Sequence, residues 1–191
     1  MQESTDIDSG MEKPTFKFAL REDLKDDLRF LPTRAEPTAT GFDVRAAQKD
    51  KKPLTIRPFE HVKIPLGFRA FLPDNYWYEL KPRSSTFAKK HLHALYGVID
   101  ESFEGQLVLA AQYIPHMKYD QGFQPNIETY LDDNELVIEF GEAIGQIVPI
   151  RRQEMIVESV SNEEYEQLTK DRGAVRRNGG FGSTDKTNGS K

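Results

Sequence analysis

The chain has 191 residues, no cysteine and a formal net charge of −5 at pH 7. That length suits one domain with a proper core, and the missing cysteines exclude disulfides, thiolate nucleophiles and cysteine-based zinc sites. The acidic balance repels polyanions, so direct nucleic acid binding is not expected and a phosphorylated ligand needs a local basic site.

Residues 1–14 carry no apolar periodicity and read as a disordered N-terminal lead. The first twelve are acidic and polar and lack the apolar core of a signal peptide. No apolar run approaches the roughly 20 residues of a membrane span. A soluble protein, cytoplasmic or otherwise intracellular, with no membrane contact, is the expectation. From Thr15 the pattern turns to short β-forming stretches at 15–20, 54–57, 61–71, 76–80, 107–114, 135–140, 143–150 and 155–160. Turn signals such as Pro73-Asp74-Asn75 and Asp132-Asp133-Asn134 separate them. Many short strands at this spacing predict an all-β sandwich or barrel, a jelly roll among the options. Only 161–170 reads as a short helix, opened by a capping-box pair, Ser161 and Glu164. Beyond Asp171 the chain is rich in Arg, Gly, Ser and Asn, with Phe181 its one aromatic residue, and reads as a flexible arm.

Four places carry chemistry. Gly97-Val98-Ile99-Asp100-Glu101-Ser102-Phe103-Glu104-Gly105 sets one carboxylate between two glycines on a predicted hairpin, with its turn at 101–104. Asp100 alone reads as a turn aspartate, but glycine in a strand context marks close backbone approach by a ligand. Backbone N–H and C=O groups on such a hairpin distinguish uracil from cytosine, whose donor and acceptor patterns are reversed at N3 and position 4. Arg83-Ser84-Ser85, after Pro82, is either a solvated turn or an anion nest of guanidinium, hydroxyls and turn N–H groups. Asp43 in Ala39-Thr40-Gly41-Phe42-Asp43 is a turn aspartate before a strand, or a hard oxygen ligand for a cation. Gly179-Gly180-Phe181-Gly182-Ser183-Thr184 is a donor-rich segment with one ring at its centre.

Taken in chain order, these segments and Gly145-Gln146-Ile147 resemble the five motifs of the trimeric all-β dUTPase family, over residues 15–184. The resemblance implies a jelly-roll-like β-barrel with one short helix and a C-terminal arm. The expected activity is Mg²⁺-dependent hydrolysis of dUTP to dUMP and pyrophosphate, which keeps uracil out of DNA and supplies dUMP for thymidylate synthesis. By the same match Asp100 directs the attacking water, and Arg83, Ser84 and Ser85 hold the triphosphate. Gly97 and Ile99 lie on the uracil-reading hairpin, and Phe103 stands where the family has a tyrosine against the deoxyribose. Asp43 serves Mg²⁺ through water. Gln146 either lies near the phosphates or is an ordinary polar strand residue. Phe181 covers the uracil, while Gly182, Ser183 and Thr184 contact phosphate. Spacing picks Arg176 for the terminal phosphate, with Arg172 as its rival. Lys89, Lys90 and His91 fall to the framework or to subunit contacts.

The implied organisation is an N-terminal lead at 1–14, a β domain at 15–160, and a helix with an arm at 161–191 that closes a neighbouring subunit's site in a homotrimer. The stretch 117–140 is longer than the family's usual connection and is either a surface insertion or a contact for a protein partner. Asp185 replaces a common glycine and points away from phosphate. Two other functions suit the same fold. A dCTP deaminase needs a glutamate that by register falls at Ala110, and alanine moves no protons. A nucleotide-switched regulatory binding protein is the other, favoured by a lost Asp100 or arm, and both are present.

Overall fold

The computed structural model describes residues 13–115 and 135–172. It divides into two compact units, one ending at Arg152 and one beginning at Gln153. The first holds β1 (Lys17–Leu20), β2 (Phe42–Arg45), β3 (Leu54–Ile56), β4 (His61–Pro65), β5 (Phe68–Phe71), β6 (Tyr76–Pro82), helix α1 (Ser84–Ala88), β7 (Leu92–Ala94), β8 (Gly97–Ile99), β9 (Val108–Tyr113), β10 (Leu136–Ile138) and β11 (Ala143–Arg151). All pairings between strands are antiparallel. They form a four-stranded sheet, β2-β11-β6-β8, a three-stranded sheet, β4-β9-β7, and two ribbons, β1-β5 and β10-β3.

The period of two explains the core. In β6, Tyr78 and Leu80 are buried while Trp77, Glu79 and Lys81 take the other face. In β9, Leu109, Ala111 and Tyr113 alternate inward in the same way. These side chains meet Ile56, Ile64, Phe68, Ile138, Ile144 and Ile147 in one apolar cluster shared by all four sheets. A smaller cluster of Leu24, Phe30 and Ala47 is built by two single 3₁₀ turns at Glu22–Leu24 and Leu28–Phe30, with Phe140 against Phe30.

The all-β, jelly-roll-like class expected from the pattern is what the chain adopts, with local differences. Among the described residues the sheets do not close into one barrel. The run 61–71 is two strands, because Gly67 sits at φ +77° and the chain passes there from one sheet to another. A methyl at Gly67 would stand 2.6 Å from Leu24 Cδ1 and 2.7 Å from the Ala47 Cβ. Residues 84–88 form a second helix instead of an open turn. The predicted hairpin at 97–105 is not a ladder: β8 pairs with β6, whereas β9 pairs with β4 and β7, so the turn between them bridges two sheets.

In the second unit, α2 (Asn162–Asp171) begins as its sequence predicts, with the Ser161 hydroxyl accepting from the Glu164 N–H at 3.1 Å. Residues 155–160, expected as a strand, are exposed and in no ladder, since a strand needs a partner edge. Among the described residues no helix is long and apolar enough to cross a membrane.

Tyr78 is fully buried, and its hydroxyl finds no hydrogen-bond partner among the described residues. Burial alone pushes its pKa above the ordinary phenol value. An orphaned buried hydroxyl is a net cost. Tyr78→Phe is therefore expected to leave stability unchanged or raise it by up to about 1 kcal/mol, read by urea unfolding, and a clear loss would mean that the hydroxyl is satisfied.

Candidate active site

The residues singled out by sequence fall into two groups at opposite ends of β6. The first surrounds the junction of β6 and α1. β11 lies between β2 and β6, so Gln146 is opposite both Asp43 and Lys81. Arg83 leaves β6 with its N–H donating to the Ile144 carbonyl at 3.2 Å. Its guanidinium lies 3.4 Å from Asp43 Oδ1 and 3.4 Å from the Ala143 carbonyl. Ser84 and Ser85 form the first turn of α1, where N–H groups have no intrahelical acceptor. Buried Thr86 fixes that turn, its hydroxyl donating to the Ile144 carbonyl at 2.7 Å. Asp43, Arg83, Ser84, Ser85 and Gln146 thus form one polar cluster with a guanidinium, a carboxamide and two hydroxyls.

Two glycines let this cluster close. A Cβ at Gly41 would lie 2.2 Å from Gln146 Oε1, so the carboxamide rests directly on the Gly41 backbone. Gly145 sits at a register shift in β11, where a Cβ would stand 3.0 Å from the Lys81 carbonyl and 3.2 Å from Val44. Lys90 faces elsewhere: it pairs with Glu142 at 2.8 Å and donates to the Val137 carbonyl, which makes it framework.

The second group lies at the other end. A cleft of about 700 Å³ is lined by Asp100, Phe103, Trp77, Phe71 and Arg152, among others. Asp100 is exposed at the end of β8, and its carbonyl accepts from the Phe103 N–H at 3.1 Å to close the turn. Phe103 folds back over Gly105, where a Cβ would meet the ring at 2.6 Å. Ile99 is half-buried against the core. At Gly97 a Cβ would make only ordinary contacts, the nearest at 3.8 Å, so among the described residues nothing requires glycine there. Trp77 and Arg152 were not anticipated. The readable signal for Trp77 was the period of β6, which puts the chain's one tryptophan on the face opposite Tyr78 and Leu80.

The two groups do not meet within one chain. Ile99 is opposite Tyr78 and Gly97 is opposite Leu80, so Asp100 lies beyond the Tyr78 end while Arg83 lies beyond the other. Six residues of strand separate the two positions by on the order of 20 Å. Arg176, Phe181, Gly182, Ser183 and Thr184 lie outside the described residues, as do Asp185 and positions 117–134. Arg172 is described, and its backbone N–H ends α2 by donating to the Leu168 and Lys170 carbonyls.

The dUTPase family description matches residues 29–122 of the chain. A deoxyuridine 5'-triphosphate nucleotidohydrolase of Aquifex aeolicus is 36% identical over 129 residues, covering 65% of this chain and 73% of that protein. The chain belongs to the dUTPase family. A second dUTPase relative, from Hydrogenobaculum sp., is 31% identical over 169 residues, covering 86% of this chain and 93% of that protein. Among solved structures, the Staphylococcus bacteriophage 80alpha dUTPase with dUPNHPP superposes with a TM-score of 0.65 at 21% identity, covering 88% of this chain and 97% of that one. That likeness extends the agreement to the dUTPase fold.

Because the Gln146 carboxamide is the mobile end of a side chain, Gly41→Ala is expected to displace it at a cost under about 1 kcal/mol. The Gln146 side-chain NH₂ resonances should shift while core signals hold. Unmoved resonances would mean that the carboxamide does not lie on Gly41.

Proposed function

We propose that the chain hydrolyses dUTP to dUMP and pyrophosphate with Mg²⁺, as a homotrimer in which Asp100 of one subunit faces the Arg83–Asp43–Gln146 cluster of another. The observation that carries this reading is the separation of Asp100 from Arg83 at opposite ends of β6, on a chain of the dUTPase family. A base that activates water must lie within hydrogen-bond reach of it, and a gap on the order of 20 Å along a strand is far too wide. Two subunits bring the halves together, and the arm carrying Phe181 is proposed to complete the site from the sequence beyond α2.

Each residue then has a task. Asp100 orients water and takes its proton as the water oxygen bonds to the α-phosphorus. The bond from that phosphorus to the bridging oxygen breaks, and pyrophosphate leaves. Arg83, with Ser84, Ser85 and Gln146, offers donors to the charge that develops on the phosphate oxygens. The backbone of Gly97 and Ile99 reads the uracil edge. Phe103 packs the deoxyribose and excludes a 2′-hydroxyl. Phe181 stacks on the base, Gly182, Ser183 and Thr184 donate to phosphate, and Arg176 meets the terminal phosphate. Removing dUTP limits uracil incorporation into DNA, and the product feeds thymidylate synthesis.

The residues present fit Mg²⁺. Asp43 is a hard oxygen donor with a side chain 15% exposed, beside the proposed phosphate-binding residues. Among the described residues no group of three or more His, Cys, Asp or Glu is placed to hold a metal. Asp43 would act through water, with the phosphates supplying the other oxygens, which is the coordination Mg²⁺ prefers. When bound, the ion neutralises phosphate charge.

Asp100→Asn is expected to lower kcat by at least about 100-fold while the affinity for a non-hydrolysable dUTP analogue is kept. A variant with most of its rate would remove Asp100 from this role. The composite site is tested by mixing. Asp100→Asn and Arg83→Ala are each expected to be inactive, yet reassembly of the two together should restore about a quarter of the sites. No restored pyrophosphate release, or a monomeric mass by light scattering, would overturn the shared site. Chelation by EDTA is expected to abolish turnover and added Mg²⁺ to restore it.

A further inference from the structure

The turn that carries Asp100 is poorly supported by its own ladder. β8 has three residues and, among the described residues, is the edge strand of its sheet and pairs with β6 alone. Beyond it, the Phe103 N–H to Asp100 carbonyl bond closes the turn but ties it to nothing else. Among the described residues, the side-chain hydrogen bonds that anchor 100–106 to the body are those of Glu101.

Glu101 Oε2 accepts from the Asn75 N–H at 3.0 Å and from Arg152 Nη1 at 3.1 Å. The other arm of the same guanidinium, Nη2, donates to Asn75 Oδ1 at 3.0 Å. The Arg152 N–H donates to the Asn75 carbonyl at 2.7 Å. Asn75 sits in the left-handed region at φ +64°, a conformation asparagine tolerates in turns. Four hydrogen bonds thus form a closed ring through the entry to β6, the exit from β8 and the exit from β11. These three neighbouring strands end together, and all three ends line the cleft that holds Asp100 or lie next to it.

Glu101 and Arg152 have side chains 33% and 49% exposed. An ion pair that wet contributes little to folding stability. Its effect is geometric: a planar guanidinium fork fixes direction as well as distance. We propose that Glu101, Asn75 and Arg152 form a positioning network that holds Asp100 in its working orientation, and so sets kcat without touching the substrate. The inference rests on Asp100 being the residue that directs water. Arg152 is also the last residue of the first unit, so the ring anchors the point at which the chain leaves the body toward α2 and the arm.

The test is steady-state dUTP hydrolysis by the full chain, with thermal unfolding in parallel. Glu101→Ala and Arg152→Ala are each expected to lower kcat by about 10- to 100-fold, the scale on which small misplacements act. KM and the unfolding midpoint should change little. Glu101→Gln keeps an oxygen acceptor for the Asn75 N–H and should recover most of the rate. The double alanine variant should be no worse than the weaker single one, because both break the same ring. Wild-type kcat in either alanine variant, with Asp100→Asn inactive, overturns the network. So does a loss of kcat that follows a loss of folded protein and is not rescued by Glu101→Gln. An active Asp100→Asn would instead overturn the underlying assignment of Asp100.

Discussion

The antiparallel ladders on either side of β11 are the constraint from which the site follows. Of the nine residues of this strand, four pair with β2 on one edge and seven with β6 on the other, and β8 hangs from β6. Side chains alternate with a period of two, so a slip of one residue would turn every one of them to the opposite face. Burial of Ile147 beside Tyr78 and Leu80, and of Ile144 across the register shift at Gly145, forbids that slip. The register that buries them also sets Gln146 opposite Asp43 and brings Arg83 off the end of β6 beside the same carboxylate. Precision in the polar cluster is therefore inherited from the apolar core.

The same rigidity keeps the two halves of the site apart. β6 is a straight spacer with Arg83 at one end and the partner of Asp100's strand at the other, and no side chain spans that length. The proposed catalytic centre, built from these residues, therefore calls for a second copy of the chain. This gives a reason for the exposed Asp100 and for a glycine at position 97 that no described neighbour requires, both of which look idle within a single subunit. The ring through Glu101, Asn75 and Arg152 lies at the ends of three neighbouring strands and ties them by side chains.

Much of this was readable in advance. The β-forming runs 76–80 and 107–114 marked β6 and β9, and Ser161 with Glu164 announced the start of α2. Gly41 and Gly105 stood in short motifs, and each makes room for a neighbour three-dimensionally: the Gln146 carboxamide on one, the Phe103 ring on the other. Other features were not legible, because their cause lies far away in the chain. The break at Gly67 depends on Leu24 and Ala47 crowding the turn. The hairpin expected at 97–105 fails because its two strands find better partners in different sheets. Residues 155–160 have β-forming composition but no edge to join in the described chain.

By itself, the sequence determined the family, the all-β class and the residue types available for chemistry, since these depend on local pattern and on short motifs in order. Tertiary structure alone decided that Asp100 and Arg83 stand at opposite ends of one strand, and that Arg152 reaches back to Glu101. The first is set by the register of Tyr78 with Ile99 and the second by a contact between Arg152 and Glu101, and register is fixed by core packing that no local run of residues contains.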